Sequence, residues 1–378
     1  MKIDDKTSHN SPSLRFPEFT GEWEKCVLGD YGKVVTGNTP PTKDIENYEN
    51  GTYLWASPAD LGTHKLISET KTKLSSKGFT KTRPLSKGSV LVTCIGSTIG
   101  KTGMATREMS TNQQINSIVV NENNDNEFVY YVVQSAFPHY LSSIAVQAVP
   151  IISKSSFELL PSKRPSLQEQ NKIGIFLSLL DERISTQHRL IDRLQSLMKG
   201  IRHRIINEAK GKIVCLCEVS DIYQPQTISS ADLTETGYPV YGANGIIGHY
   251  TSYNHEAEQV CITCRGNTCG GVNYTKSKSW ITGNAMVVNV DRYQNIVSKR
   301  YLYHYLSNCD FNSIISGSGQ PQIVRAPLAK FKIILPTVMQ QYKIAHCLDV
   351  IQNKINVNSN ILNLLIRQKQ YLLRKMFI

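Results

Sequence analysis

Four short clusters in this sequence carry residue types that chemistry uses. Gly96-Ser97-Thr98-Ile99-Gly100-Lys101-Thr102 follows an apolar stretch and resembles a phosphate-binding loop, in which glycine amides cradle phosphate and a lysine reaches its oxygens. That loop needs four residues between its glycines; three stand here, and Met104-Ala105-Thr106-Arg107 opens no helical pattern to supply a dipole. Asp60 with Glu69-Thr70-Lys71 has the composition of the carboxylate and lysine set with which nucleases hold Mg²⁺ and activate water. The triplet is a common one, and the surrounding Thr63 to Thr82 is lysine-rich and polar, which reads as a solvated loop. Asn38-Thr39-Pro40-Pro41-Thr42 is a distorted version of the loop that grips the target base in amino-methyltransferases, without the glycine-rich cofactor motif that chemistry needs. Cys261-Ile262-Thr263-Cys264 with Cys269, and Cys215-Leu216-Cys217, suggest structural zinc. Residues three apart on a strand point to opposite faces, however, so buried thiols acting as small hydrophobes are the better reading. The histidines form no HExxH or comparable cluster, and His188 and His203 fall on a helical pattern as exposed or partner-facing positions. The expectation is a chain with no catalytic residue and no metal site of its own.

The elements that position these turns follow from length and charge. A chain of 378 residues suggests two or more domains, and 40% hydrophobic with 19% charged residues marks a folded protein without a membrane span. The opening MKIDDKTSHNSPS has no apolar core for a secretory signal, and nine scattered cysteines suit free thiols in a reducing cytoplasm. The net charge of +12 favours a polyanionic partner such as nucleic acid. That charge is concentrated: residues 163–212 hold 11 basic and 5 acidic groups and residues 330–378 hold 8 and 1, while the two longer stretches are near neutral.

The basic segments also repeat, at an offset of 171 residues. Pro165-Ser166-Leu167-Gln168-Glu169-Gln170 lies over Pro336-Thr337-Val338-Met339-Gln340-Gln341. After each proline, apolar residues recur at alternating spacings of three and four, the stripe of a coiled-coil seam. The first stripe reads Leu177, Leu180, Ile184, Gln187, Ile191, Leu194, and the second Leu348, Ile351, Ile355, Asn358, Leu362, Leu365. Both are interrupted by an amide at the same repeat position, which predicts that Gln187 and Asn358 meet across an antiparallel seam. The longer stretches repeat more faintly. Val92 to Gly100 matches Ile262 to Gly270, each a strand running into a glycine turn, and Val149 to Lys154 lies over Gln320 to Arg325. Phe128 to Gln134 and Arg300 to Leu306 are each compatible with a short helix or a strand. The predicted class is α+β, as two pseudo-symmetric globular bodies and two long antiparallel helices. The predicted boundaries are 1–162, 163–212, 213–335 and 336–378.

This duplicated order, with Leu14-Arg15-Phe16-Pro17-Glu18-Phe19, Gly21-Glu22-Trp23 and the Pro165 to Gln170 start of the first helix, resembles the specificity subunit of type I DNA restriction and modification systems over essentially the whole chain. The resemblance implies two target recognition domains, each reading half of a split duplex DNA sequence. It also implies docking of two methyltransferase subunits, addition of restriction subunits, and S-adenosylmethionine, ATP and Mg²⁺ on those partners rather than here. Met339-Gln340-Gln341 departs from Gln-Glu-Gln at the start of the second helix, which bears on whether the two docking surfaces are equally strong.

A reader of two separated half-sites needs two reading surfaces and a spacer. Bases are read by amides, hydroxyls and guanidinium groups on projecting turns. The candidates are Thr39, Lys43, Trp55, Ser97, Lys101, Gln113 and Gln114 in the first body, and Tyr241, Asn244, Arg265, Asn267, Lys276, Gln320 and Gln322 in the second. The competing readings are a self-contained nuclease built on Asp60, Glu69 and Lys71, and a coiled-coil scaffold whose ends bind proteins.

Overall fold

The structure, a computed structural model, describes residues 10–143, 151–317 and 319–377. Val149 and Pro150 of the fainter repeat lie outside the described residues. Their counterparts Gln320 and Pro321 lie within them.

Two long helices run over Leu167–Glu208, 42 residues, and Val338–Met376, 39 residues. Each starts just after a proline, which lacks an amide and cannot stand inside a helix. A buried glutamine completes each start: Gln170 Nε2 donates to the Pro165 carbonyl at 3.1 Å, and Gln341 Nε2 to that of Pro336 at 2.9 Å. Gly200, interior to the central helix, has open space where a Cβ would stand, so its cost is one of backbone entropy alone, about 1 kcal/mol.

The chain divides into two compact units, one of residues up to Thr186 with those from Leu362, the other Gln187–Ile361. Each long helix therefore contributes a segment to each unit. In the first, Leu177, Leu180 and Ile184 share the main apolar core with Leu365, Leu372 and Met376. In the second, Leu194, Met198 and Ile201 pack with Leu348, Ile351 and Ile355. Within the second unit Gln187 pairs with Asn358 while Met198 packs with Leu348 and Ile355, so numbering falls along one helix as it rises along the other; in the first unit Asp181 pairs with Lys369 at 2.6 Å. The helices are antiparallel.

The first body carries a five-stranded sheet in the order Gly32–Thr36, Ile115–Val120, Val90–Thr93, Thr102–Ala105, Leu66–Ile67, antiparallel except for the last pair. The second carries Asp221–Tyr223, Ala285–Asn289, Val260–Thr263, Val272–Tyr274 in the same relative order, all antiparallel. Each adds a three-stranded sheet containing one parallel pair. The ambiguous stretches are helices, Asn126–Ser143 and Lys299–Leu306. Asp125 and Ser298 cap them, and each capping residue gives its own amide to the glutamine of the long helix in its unit, Asp125 to Gln170 at 3.1 Å and Ser298 to Gln341 at 2.7 Å. Both ends of each body pair with each other as a short antiparallel ladder, Glu24–Val27 with Pro161–Arg164 and Lys212–Cys215 with Lys332–Leu335.

The two helix starts differ in what their side chains hold. Glu169 is 1% exposed and faces its own chain: Arg15 Nε and Nη2 donate to its two carboxylate oxygens at 2.7 and 2.6 Å, and Trp23 Nε1 donates at 3.3 Å. Lys172 lies over the Phe16 ring at 4.8 Å, and the Leu14 amide donates to the Lys375 carbonyl at 2.9 Å. Gln340 instead closes its own helix start, its Oε1 accepting from the Thr337 amide at 3.2 Å. The glutamate anchors the opening segment, so at this position the difference between the starts is internal, whereas Met339, which stands where the first helix has exposed Gln168, is 66% exposed.

Candidate nucleic-acid interface

The motifs read for catalysis resolve as local structure. Asp60 Oδ2 accepts from the Ser57 amide and hydroxyl at 2.9 and 2.7 Å, and its Oδ1 accepts from the Lys71 amide at 2.9 Å. Glu69 pairs with Lys73 at 2.7 Å, so the carboxylates do not converge on a cation. The nuclease reading has no support in this geometry: Asp60 holds a turn. Gly96 to Lys101 closes on itself, with the Ile99 amide on the Gly96 carbonyl and the Gly100 amide on the Thr93 carbonyl, and a strand follows. Gly96 and Gly100 have φ of 95° and 90°, the left-handed backbone this turn requires. Cys261 and Cys264 lie on opposite faces of Val260–Thr263 and its extension, in different apolar clusters, and burial pushes the Cys261 thiol up to about 12. Among the described residues no group of three His, Cys, Asp or Glu could hold a metal ion.

The turns offered as readers gather at the strand ends. In the first body the Cys94 amide donates to the Gln114 carbonyl at 2.8 Å, which sets the Asn112 to Gln114 turn beside the Gly96 turn. Asn112 and Gln114 are bonded side chain to side chain at 3.1 Å, and Thr39 Oγ1 donates to Gln113 Oε1. Trp55 Nε1 donates to the Asn38 carbonyl at 3.1 Å, placing its half-buried ring under the Thr39 loop. Thr39, Trp55, Gln113 and Gln114, with exposed Ser97 nearby, thus form one polar surface. Lys101 is exposed on the far side of its turn, its stem close to Gly62, and Lys43 is exposed on a separate loop.

The second body repeats this frame. The Cys264 amide donates to the Asn284 carbonyl at 3.0 Å, Arg265 pairs across a β-bridge with Gln322, and the Gly266 amide donates to the Pro321 carbonyl at 3.0 Å. The first body has the matching bridge between Ile95 and Ile151. Arg265, Asn267, Gln320 and Gln322 are exposed together. The hairpin tip carrying exposed Asn244 is tied to the same strand end through Thr263 Oγ1 and the Ala243 carbonyl. Tyr241 is different: it is 6% exposed, and its hydroxyl accepts from the Lys276 amide at 3.1 Å. Its ring is core, and it positions the loop bearing exposed Lys276.

Two polar groups at these turns escaped the sequence reading. Asn112 braces its own turn, and exposed Asn284 is the repeat counterpart of Gln114, which an offset of 170 applied to that residue would have found.

Known proteins are similar to this chain over most of its length. A type I restriction enzyme specificity subunit from Escherichia coli, EcoprrI, is 24% identical over 87% of each chain. The MjaVIII specificity subunit of Methanocaldococcus jannaschii is 23% identical over 91% of this chain and 88% of its own. The crystal structure of a type I restriction-modification S subunit from M. genitalium superposes with a TM-score of 0.69, covering 97% of this chain and 99% of that one at 17% identity, which shows a shared fold. Residues 20–196 and 209–367 each match the model of the type I restriction modification DNA specificity domain, one match to each half of the duplicated plan, and the chain belongs to that family.

Proposed function

We propose that each body reads one half of a bipartite duplex DNA target and that the antiparallel helix pair fixes the distance between the halves. The observation that carries this reading is the repetition of the polar turn frame, from Cys94 with Gln114 and Ile95 with Ile151 to Cys264 with Asn284 and Arg265 with Gln322. The same frame presents different side chains at its tips, as two readers of unlike sequences require. In this reading the recognition domains span 1–162 and 213–335 and the helical regions 163–212 and 336–378; the ladders that close each body, reaching Arg164 in the first and beginning at Lys212 in the second, lie close to these limits and support them.

Both long helices keep exposed apolar residues that their seam does not cover, among them Ile175, Leu179 and Leu197 on one and Val350, Val357 and Leu364 on the other. These support docking of two methyltransferase subunits, with restriction subunits joining the full complex. S-adenosylmethionine, ATP and Mg²⁺ belong to those partners in this reading, and the assembly acts in the cytoplasm. No helix among the described residues is long and apolar enough to cross a membrane.

The test exchanges residues 213–335 for the matching block of a relative and sequences the sites methylated by the reconstituted complex. One half of the target changes and the other stays. A change in both halves, or in neither, rules out independent reading, and cleavage of duplex by the chain alone with Mg²⁺ would return the nuclease.

A further inference from the structure

Within the second unit, a cavity of about 480 Å³ lies where the central helix meets Lys299–Leu306 and the glycine turn after Val260–Thr263. Arg202, Lys199, Tyr303, Ser307, Gly271 and Gln352 are on its walls, and none of the described residues lining it is acidic. Arg202 is partly buried, and its Nε makes no hydrogen bond among the described residues. The carboxylates nearby in the sequence and fold are taken: Glu208 pairs with Arg204 at 3.1 Å, and Asp349 is shared by Arg300 and His304. Burial lowers the Arg202 guanidinium below its ordinary value, as an uncompensated charge requires. Lys199 is exposed at the rim.

The internal repeat supplies a control. Arg202 corresponds, at the offset of 171, to Leu373 on the second helix, and Leu373 packs against the core of the first unit. An apolar side chain suits the position, so the helix pair does not demand a cation there. A half-buried guanidinium whose Nε has no acceptor carries a desolvation cost, and a second cation beside it adds to that cost unless something negative binds.

We propose that this cavity binds a phosphoryl group. Arg202 offers a planar fork that takes two oxygens of one phosphate, Lys199 offers a point charge from the rim, and two cations with no carboxylate suit the oxygens of a phosphoryl group, whether a singly charged diester or a doubly charged monoester. The volume exceeds that of a bare phosphate, so the group arrives attached to something larger. It is either a backbone phosphate of bound DNA or the phosphate of a free nucleotide. This goes beyond the half-site reading and does not depend on it.

The experiment follows the thermal midpoint of the full chain in inorganic phosphate, in sulfate, and in chloride at equal ionic strength. At ten times the dissociation constant, phosphate raises the native midpoint by about 2 to 4 °C over chloride. Arg202→Leu, the residue the repeat itself uses, loses that rise while melting in chloride no lower than the native chain, and Arg202→Lys retains part of it. Equal responses from native and Arg202→Leu chains, or no response in either, overturn the site. Repeating the titration with saturating random-sequence duplex separates the sources. The response disappears if DNA supplies the phosphate and persists if a free nucleotide does.

Discussion

Gln187 and Asn358, equivalent positions of the repeat, meet within the second unit: Gln187 Nε2 donates to Asn358 Oδ1 at 2.7 Å and to its carbonyl at 3.0 Å. Asn358 Nδ2 in turn donates to the Lys354 carbonyl at 2.7 Å. Buried Ile191, Ile355 and Leu362 lie within a turn or so of the pair, so a slipped register sets an amide against an aliphatic side chain. Both amides are half-buried rather than sealed, which places the cost of an unpaired one near the lower end of its range.

Gln187→Leu is therefore expected to lower stability by about 1 kcal/mol, read as a shift in the urea midpoint. Changing both residues to leucine restores or raises stability, because no polar group is left unpaired. The double variant loses the penalty on slipped pairing, and the gap in its methylated target becomes heterogeneous. A double variant with a single sharp gap shows that register is held elsewhere in the seam.

Glu169→Ala leaves the Arg15 guanidinium and the Trp23 indole without their acceptor in a nearly closed site. Breaking such a pair costs about 3 kcal/mol. Limited proteolysis should cut the opening segment well before the rest of the chain in this variant. Equal protection in variant and native chains would show that Phe16 and Leu14 hold the segment without the ion pair.

His304 is fully buried, its Nε2 2.7 Å from Asp349 Oδ1. Burial pushes the imidazole down to about 4, against the pull of Asp349 and with help from Arg202 and Arg300. The unfolded chain binds this proton near 6.5, so between about pH 6.5 and 4 it holds more protons than the native state. Stability is then lost as pH falls through that window, on the order of 3 kcal/mol. Asp349 is held below its ordinary value, its bonds from Arg300 and His304 outweighing burial, so its contribution goes at lower pH still, as the carboxylate protonates. Urea midpoints of His304→Gln, compared with native at pH 7 and pH 4.5, should show a smaller acid loss. Parallel losses would place the sensitivity in other groups.

Arg265 stands exposed beside Gln322 on the second reading surface. Arg265→Ala should relax discrimination at one base pair by about 1 to 3 kcal/mol and leave the other half of the target unchanged. Binding to a panel of single-base variants reads this directly, and a uniform loss across all positions would mark Arg265 as a phosphate contact.

The helices, their seams and the duplicated order were legible because period and repeat are written in residue types: the stripe from Leu177 and its copy from Leu348 need no tertiary knowledge. Turns were legible wherever glycine needed positive φ, as at Gly96 and Gly266. Roles that depend on what faces a side chain were not. Tyr241 reads as a surface phenol in sequence, yet its ring completes a core formed by strands far away in the chain. Glu169 reads as a surface charge in a helix start, and only the fold brings Arg15 and Trp23 onto it. Asp60 with Glu69 looked like a pair of metal ligands because spacing does not say which neighbour each carboxylate accepts from.

The short ladders Glu24–Val27 with Pro161–Arg164 and Lys212–Cys215 with Lys332–Leu335 mean that each body leaves the chain and returns to it at one neck. Topologically each body is a closed loop clipped at its base. The closure entropy of such a loop grows only as the logarithm of its length, about 0.6 kcal/mol for each doubling. A body of different length can therefore close at the same neck at little entropic cost, provided it keeps an apolar face for the helix segment that shares its core. Recombination breakpoints placed at these ladders would therefore yield folded chimaeras, and the same geometry makes the loop tips opposite the neck natural sites for new chain termini by circular permutation.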